Sequence, residues 1–178
     1  PYAENGDDDD LLHQTWQASQ GELTYITIDM KVGGYAHDVR IPEVVAALVR
    51  VVQHPRCFLV ANQAPCKWHT ALLCLRPGPA MLFSLEHCDG IPGLDPPDQK
   101  RQDEALLVYR NLARISDAAL VARKHLWWEY PVGRGSDSQC AIPGQELHST
   151  AFHMSFMREL EAKHDLRRTL CDQGSAGA

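Results

Sequence analysis

The chain has 178 residues, an apolar fraction of 44% and a formal charge of −6. That length and composition suit one globular core, and the acidic balance, with no basic stripe, excludes a non-specific nucleic-acid binder. No apolar run approaches the roughly 20 residues of a membrane span, and the acidic N-terminus lacks the basic region and apolar run of a secretory signal.

In chain order, residues 1–6 read as a disordered tail, residues 7–171 as a single domain, and residues 172–178 as a disordered or tag-derived tail. Residues 7–20 can form a helix with acidic residues favourable at its start. Residues 22–29 are rich in β-formers and predict a strand. Pro42 suits a first helical turn, and Val44, Val45, Leu48, Val49 and Val52 recur at helical spacing through to Gln53. Three strands are then predicted, over residues 56–62, 66–76 and 80–86. Pro77-Gly78-Pro79 separates the last two as a turn, so they form a central hairpin. Residues 89–98 read as a loop, 99–114 as a helix, 124–132 as a strand and 133–136 as a loop. A last helix is predicted from Cys140 to about Leu170, with Pro143 in its first turn. The order of elements gives one α/β (α+β) layered domain with a mixed or largely antiparallel sheet flanked by helices.

Six cysteines, Cys57, Cys66, Cys74, Cys88, Cys140 and Cys171, are irregularly spaced and include no Cys-x-x-Cys. Zinc sites show close ligand pairs, so no metal is expected, and the simplest reading is free thiols in a reducing compartment.

A cysteine nucleophile needs a base within reach and a group that orients the base. In the predicted hairpin, a two-residue loop at Pro77-Gly78 sets His69 opposite Glu86. An odd-length loop puts them on opposite faces, and the sequence leaves this register open. Cys140 follows a Gly- and Ser-containing loop at a predicted helix start. There the helix dipole lowers a thiol pKa, and free backbone N–H groups bind an oxyanion. His69, Glu86 and Cys140 are therefore the candidate catalytic residues, with Asp89, just beyond the strand, as the reserve acid.

That order and its surroundings resemble the YopJ family of bacterial effector acetyltransferases. The matching stretches are Asp29-Met30-Lys31-Val32, Arg56-Cys57-Phe58-Leu59-Val60, His69 with the run that follows it, Leu85-Glu86, and Ser136-Asp137-Ser138-Gln139-Cys140-Ala141-Ile142. The resemblance implies a papain-like cysteine-protease-type sandwich, with His69 as base, Glu86 as its orienting acid and Cys140 as nucleophile. It also implies acetyl-CoA as donor, Lys, Ser or Thr of a host protein as acceptor, and a secreted effector acting inside the host cell. Family members are activated by inositol hexakisphosphate. This anion needs a cationic cluster, for which Lys163, Arg167 and Arg168 are the candidates. Two other functions suit the same residues: a cysteine protease acting on ubiquitin-like proteins or peptides, and a non-catalytic interaction module derived from the same fold.

Overall fold

The structure is a computed structural model and describes residues 26–74 and 79–169. The chain divides into two compact units, residues 1–38 and 39–178. The helix predicted over 7–20 and most of the strand predicted over 22–29 lie outside the described residues.

In the first unit, residues 26–29 form no strand. Asp29 caps the short helix α1 (Met30–Gly33), its carboxylate accepting the Lys31 N–H at 2.7 Å. A 3₁₀ turn, Gly34–His37, follows.

Among its described residues, the second unit has three α-helices and two strands. Helix α2 (Pro42–Gln53) starts on proline, as its sequence predicts. Strand β1 (Leu59–Gln63) follows, three residues later than predicted. Helix α3 (Pro96–Val121) is longer than predicted and spans about 39 Å at 1.5 Å per residue. Asp95 caps it by accepting the Asp98 N–H at 3.0 Å, and Pro96 and Pro97 fill positions whose N–H groups have no helical partner. Arg123, at φ 58°, turns the chain out of the helix and into strand β2 (His125–Glu129). Helix α4 (Ser155–His164) is the last element. Among the described residues, no helix is long and apolar enough to cross a membrane.

Strands β1 and β2 pair in parallel, Leu59 with His125 through Gln63 with Glu129. Parallel neighbours need a long crossover, and α3 supplies it. Its buried side chains serve two cores. Ile115 and Ala119 pack with Val45 and Val52 of α2. Ala105, Val108, Tyr109 and Ala113 pack with Trp68, Leu82, Phe83, Met154, Met157 and Leu160. Two of the polar side chains this buries pair in series: Asn62 donates to the Ser116 hydroxyl at 2.8 Å, and that hydroxyl donates to the Leu112 carbonyl at 2.9 Å.

The fold is thus α+β, but its sheet is a two-strand parallel pair, so the expected antiparallel central sheet and hairpin are corrected. Cys66–Trp68 and residues 71–74 form 3₁₀ turns. Residues 80–84 have no regular secondary structure and residues 85–86 bend. Leu82 and Phe83 are adjacent and only 0% and 2% exposed. Their run is apolar because a loop is enclosed on both sides, and apolarity alone does not separate that from a central strand. Its backbone bonds run elsewhere: the Leu82 carbonyl accepts from Ile91 N–H at 3.0 Å and from Gln102 Nε2 at 2.8 Å, and Leu85 N–H donates to the Leu147 carbonyl at 3.0 Å. Gly90, at φ +128°, is needed where this loop meets Gln102, because a Cβ there would lie 2.7 Å from that side chain.

The long C-terminal helix is also corrected. Residues 140–150 are turns and irregular chain, and the α-helix is confined to Ser155–His164. Pro143 and Gly144 (φ +83°) break any helix started at Cys140.

Candidate functional site

His69 is 5% exposed and closes the 3₁₀ turn that starts at Cys66, its N–H donating to the Cys66 carbonyl at 2.9 Å. Its ring stacks on Phe83, with centroids 4.6 Å apart and planes 16° apart. Tyr109 and Tyr130 present their rings edgewise to it at 5.5 and 6.0 Å. Tyr109 donates its hydroxyl proton to the Pro65 carbonyl at 2.6 Å, so the 2.7 Å contact between the two hydroxyls has Tyr130 as donor.

The polar surroundings fix the state of the His69 ring. Nδ1 lies 3.3 Å from the Ser149 carbonyl, which only accepts, so Nδ1 carries the proton and donates. The Ser149 hydroxyl is 3.4 Å from the same nitrogen. Nε2 is then a bare lone pair, buried and without a hydrogen-bond partner. Burial pushes the imidazole pKa down to about 3; the Ser149 carbonyl opposes that, and His148 and His153 add to it. The ring is neutral at physiological pH.

A cleft of about 340 Å³ lies alongside, lined by Cys66, His69, Thr70, Pro131, Val132, Arg134 and His148. His148 ties its two walls together. Its Nδ1 accepts the Arg134 N–H at 2.9 Å, and its Nε2 donates to the His69 carbonyl at 2.6 Å.

The other predicted site residues are placed as follows. Glu86 is exposed, and among the described residues it makes no hydrogen bond or ion pair. Asp89 accepts the Ser155 N–H at 2.9 Å, capping the start of α4. Cys140 is a half-buried free thiol in a turn, where its N–H donates to the Ser138 hydroxyl at 3.0 Å. The Ala141 N–H donates to the Ser138 carbonyl at 3.2 Å. The helix-start argument for Cys140 is therefore corrected: no dipole faces the thiol, and Ser138 occupies the two N–H groups expected to be free for an oxyanion. No hydrogen bond or ion pair joins His69 to Glu86 or Cys140.

Two of the three candidate cations for inositol hexakisphosphate are internally paired. Lys163 donates to both Asp117 oxygens at 2.7 and 3.0 Å. Arg168 grips Glu161 through Nε and an Nη at 2.6 and 2.7 Å, and its guanidinium lies 4.8 Å from the Phe152 ring centroid. His164 and Lys163 hold the Asp117 carboxyl below the usual carboxylate range. Arg167 is exposed.

Sequence reading missed Tyr109, Tyr130, His148 and Ser149. One signal was present for the last two: His148-Ser149-Thr150 places three consecutive polar residues around what a helix would turn into a continuous girdle, and no amphipathic stripe accommodates that. The five described cysteines are free thiols. Among the described residues, no cluster of three or more His, Cys, Asp or Glu is placed to hold a metal ion. Comparison with protein-family models, curated proteins and solved structures gave no match.

Proposed function

We propose that this chain is an effector protein acetyltransferase that moves an acetyl group from acetyl-CoA, through a thioester on Cys140, to Lys, Ser or Thr of a host protein. The observation that carries this reading is the state of His69: a neutral ring, fixed through Nδ1–H, with its Nε2 lone pair uncommitted beside a cleft. A general base needs that state. In the proposed reaction the Cys140 thiol gives its proton to Nε2 while Sγ bonds the acetyl carbonyl carbon. The carbon–sulfur bond to coenzyme A breaks, and the departing thiolate takes that proton. Burial alone leaves the ring a weak base, so the reading requires Glu86 to replace the Ser149 carbonyl at Nδ1 and stabilise the imidazolium. It also requires Cys140 to leave the Ser138 turn.

The test is intact-mass and peptide mapping of the full chain after incubation with acetyl-CoA. Acetyl on Cys140, lost in Cys140→Ala and in His69→Gln, is the expected outcome. A folded wild-type chain that takes no acetyl group overturns the reading.

A second reading, a non-catalytic interaction module of the same origin, is favoured by one observation: His69 is bonded to Ser149, with no bond to Glu86 or Cys140. It predicts that no donor thioester labels Cys140 under any condition in which the chain is folded.

A further inference from the structure

Three histidines, His69, His148 and His153, gather where the segment 131–153 meets the turn at residues 66–70. The hydrogen-bond roles of the last two are fixed by their partners. His148 Nδ1 faces the Arg134 N–H at 2.9 Å and must accept, so Nε2 carries the proton it gives to the His69 carbonyl at 2.6 Å. His153 Nδ1 faces the Thr150 N–H at 2.9 Å and must accept, so Nε2 carries the proton it gives to Asp137 at 3.1 Å. Each ring is therefore neutral, and each closes a loop by accepting one backbone N–H and donating on its other side. A charged imidazole has no acceptor to offer.

We propose that His148 and His153 form an acid-sensitive latch that keeps the 133–153 segment folded on itself beside the His69 turn only while both rings are neutral. Protonating His148 sets N–H against N–H at Arg134, and protonating His153 does the same at Thr150. The Nε2–H donations to the His69 carbonyl and to Asp137 survive protonation, so what is lost is the folding of the segment on itself on either side of Ser149.

The surroundings of His69 and His153 resist protonation. His148 is 4% exposed, with His69 and Arg134 beside it in the cleft wall and the Cys66 thiol lining the same cleft. His153, whose side chain is 11% exposed, faces one carboxylate, Asp137, against the cations Arg158 and Arg168 and the His148 ring. Burial lowers its pKa first, Asp137 raises it, and the two arginines and His148 lower it again. His69 is faced by the rings of Tyr109 on α3 and Tyr130 after β2, neither of which supplies a negative charge, since burial raises both phenols far above their usual range. The latch thus stays closed at neutral pH and opens in acid. This device does not depend on whether the chain transfers acyl groups.

The test is nitrogen-15 NMR of the histidine rings in the full chain, with amide hydrogen exchange followed from pH 7.5 to 4.5. At pH 7.5 both rings are expected as Nε2–H tautomers. On acidification the Arg134 and Thr150 amides should lose about tenfold or more of their intrinsic-rate-corrected protection, while Tyr109 and Ala119 in α3 keep theirs. His153→Asn offers an acceptor that does not titrate and should preserve protection at Thr150 alone. An Nδ1–H tautomer at pH 7.5 overturns the proposal, as does unchanged protection at pH 4.5. So does simultaneous loss at α3, which would mark global unfolding. The wild-type tautomers decide the question even if the variant fails to fold.

Discussion

The two cores of the second unit are held by different means. Where α2 packs on α3, Val45, Val52, Ile115 and Ala119 interlock along two regular helices, and the backbone satisfies itself. Around His69 the chain is mostly turns, and side chains supply the missing backbone partners: Gln102 holds Leu82 and Ile91, His148 holds Arg134 and His69, and His153 holds Thr150. The first region is specified by periodicity, and its buried cluster contains no titratable side chain. The second is specified residue by residue, and its stability is tied to the protonation of its histidines.

Three measurements sharpen that contrast. The largest effect is expected from Phe83→Ala, which removes a 2%-exposed ring and the platform under His69. A cost of about 3–5 kcal/mol in urea unfolding is expected, and a cost below about 1 kcal/mol would show that the His69 region is loosely packed.

Next is acid. The folded pKa of His69, about 3, lies below its unfolded value of 6.5. The folded state therefore resists a proton that the unfolded state accepts. Its contribution is fully present above pH 6.5 and drains away as pH falls toward 3. At about 1.4 kcal/mol per unit for one group, lowering the pH from 6.5 to 5 should cost about 2 kcal/mol, and His69→Gln should flatten that slope. A pH-independent unfolding free energy over this range would mean that the ring is solvated.

The smallest effect belongs to the helical region. Ser116→Ala removes the partner of the buried Asn62 amide and should cost about 1 kcal/mol, with the same value at pH 7 and pH 5. A pH-dependent cost there would erase the distinction between the regions.

The same contrast explains what was legible in the sequence. Helix α2 could be read from Pro42 and the valine spacing, because those signals are local; α3 is legible only over residues 99–114, its Asp95-Pro96-Pro97 start reading as the end of a loop. The strand at residues 125–129 was legible from its aromatic and apolar content, but its parallel partner was not, since that depends on where a 26-residue crossover sets the chain down. Residues 66–74 and 80–86 misled because apolar turns and an enclosed loop have the same composition as a central strand. Cys140 was placed at a helix start on the strength of a loop before it and of Pro143 in the first turn, but Gly144, at φ +83°, takes the chain out of helical conformation directly afterwards. At the site, His69 was singled out from sequence, but its partner is a backbone carbonyl. No residue type announces a carbonyl, so Ser149 could not have been found by looking for acids.

Gly135 shows how finely such a region is defined. A Cβ there would lie 2.3 Å from the His148 carbonyl oxygen and 2.8 Å from a Leu85 methyl. The segment folds back on itself with less than a methyl group to spare. Its shape is therefore set by omission as much as by attraction. A search of sequence space that rewarded only new contacts would fill this position early and lose the loop, and with it the His148 ring that holds the His69 carbonyl.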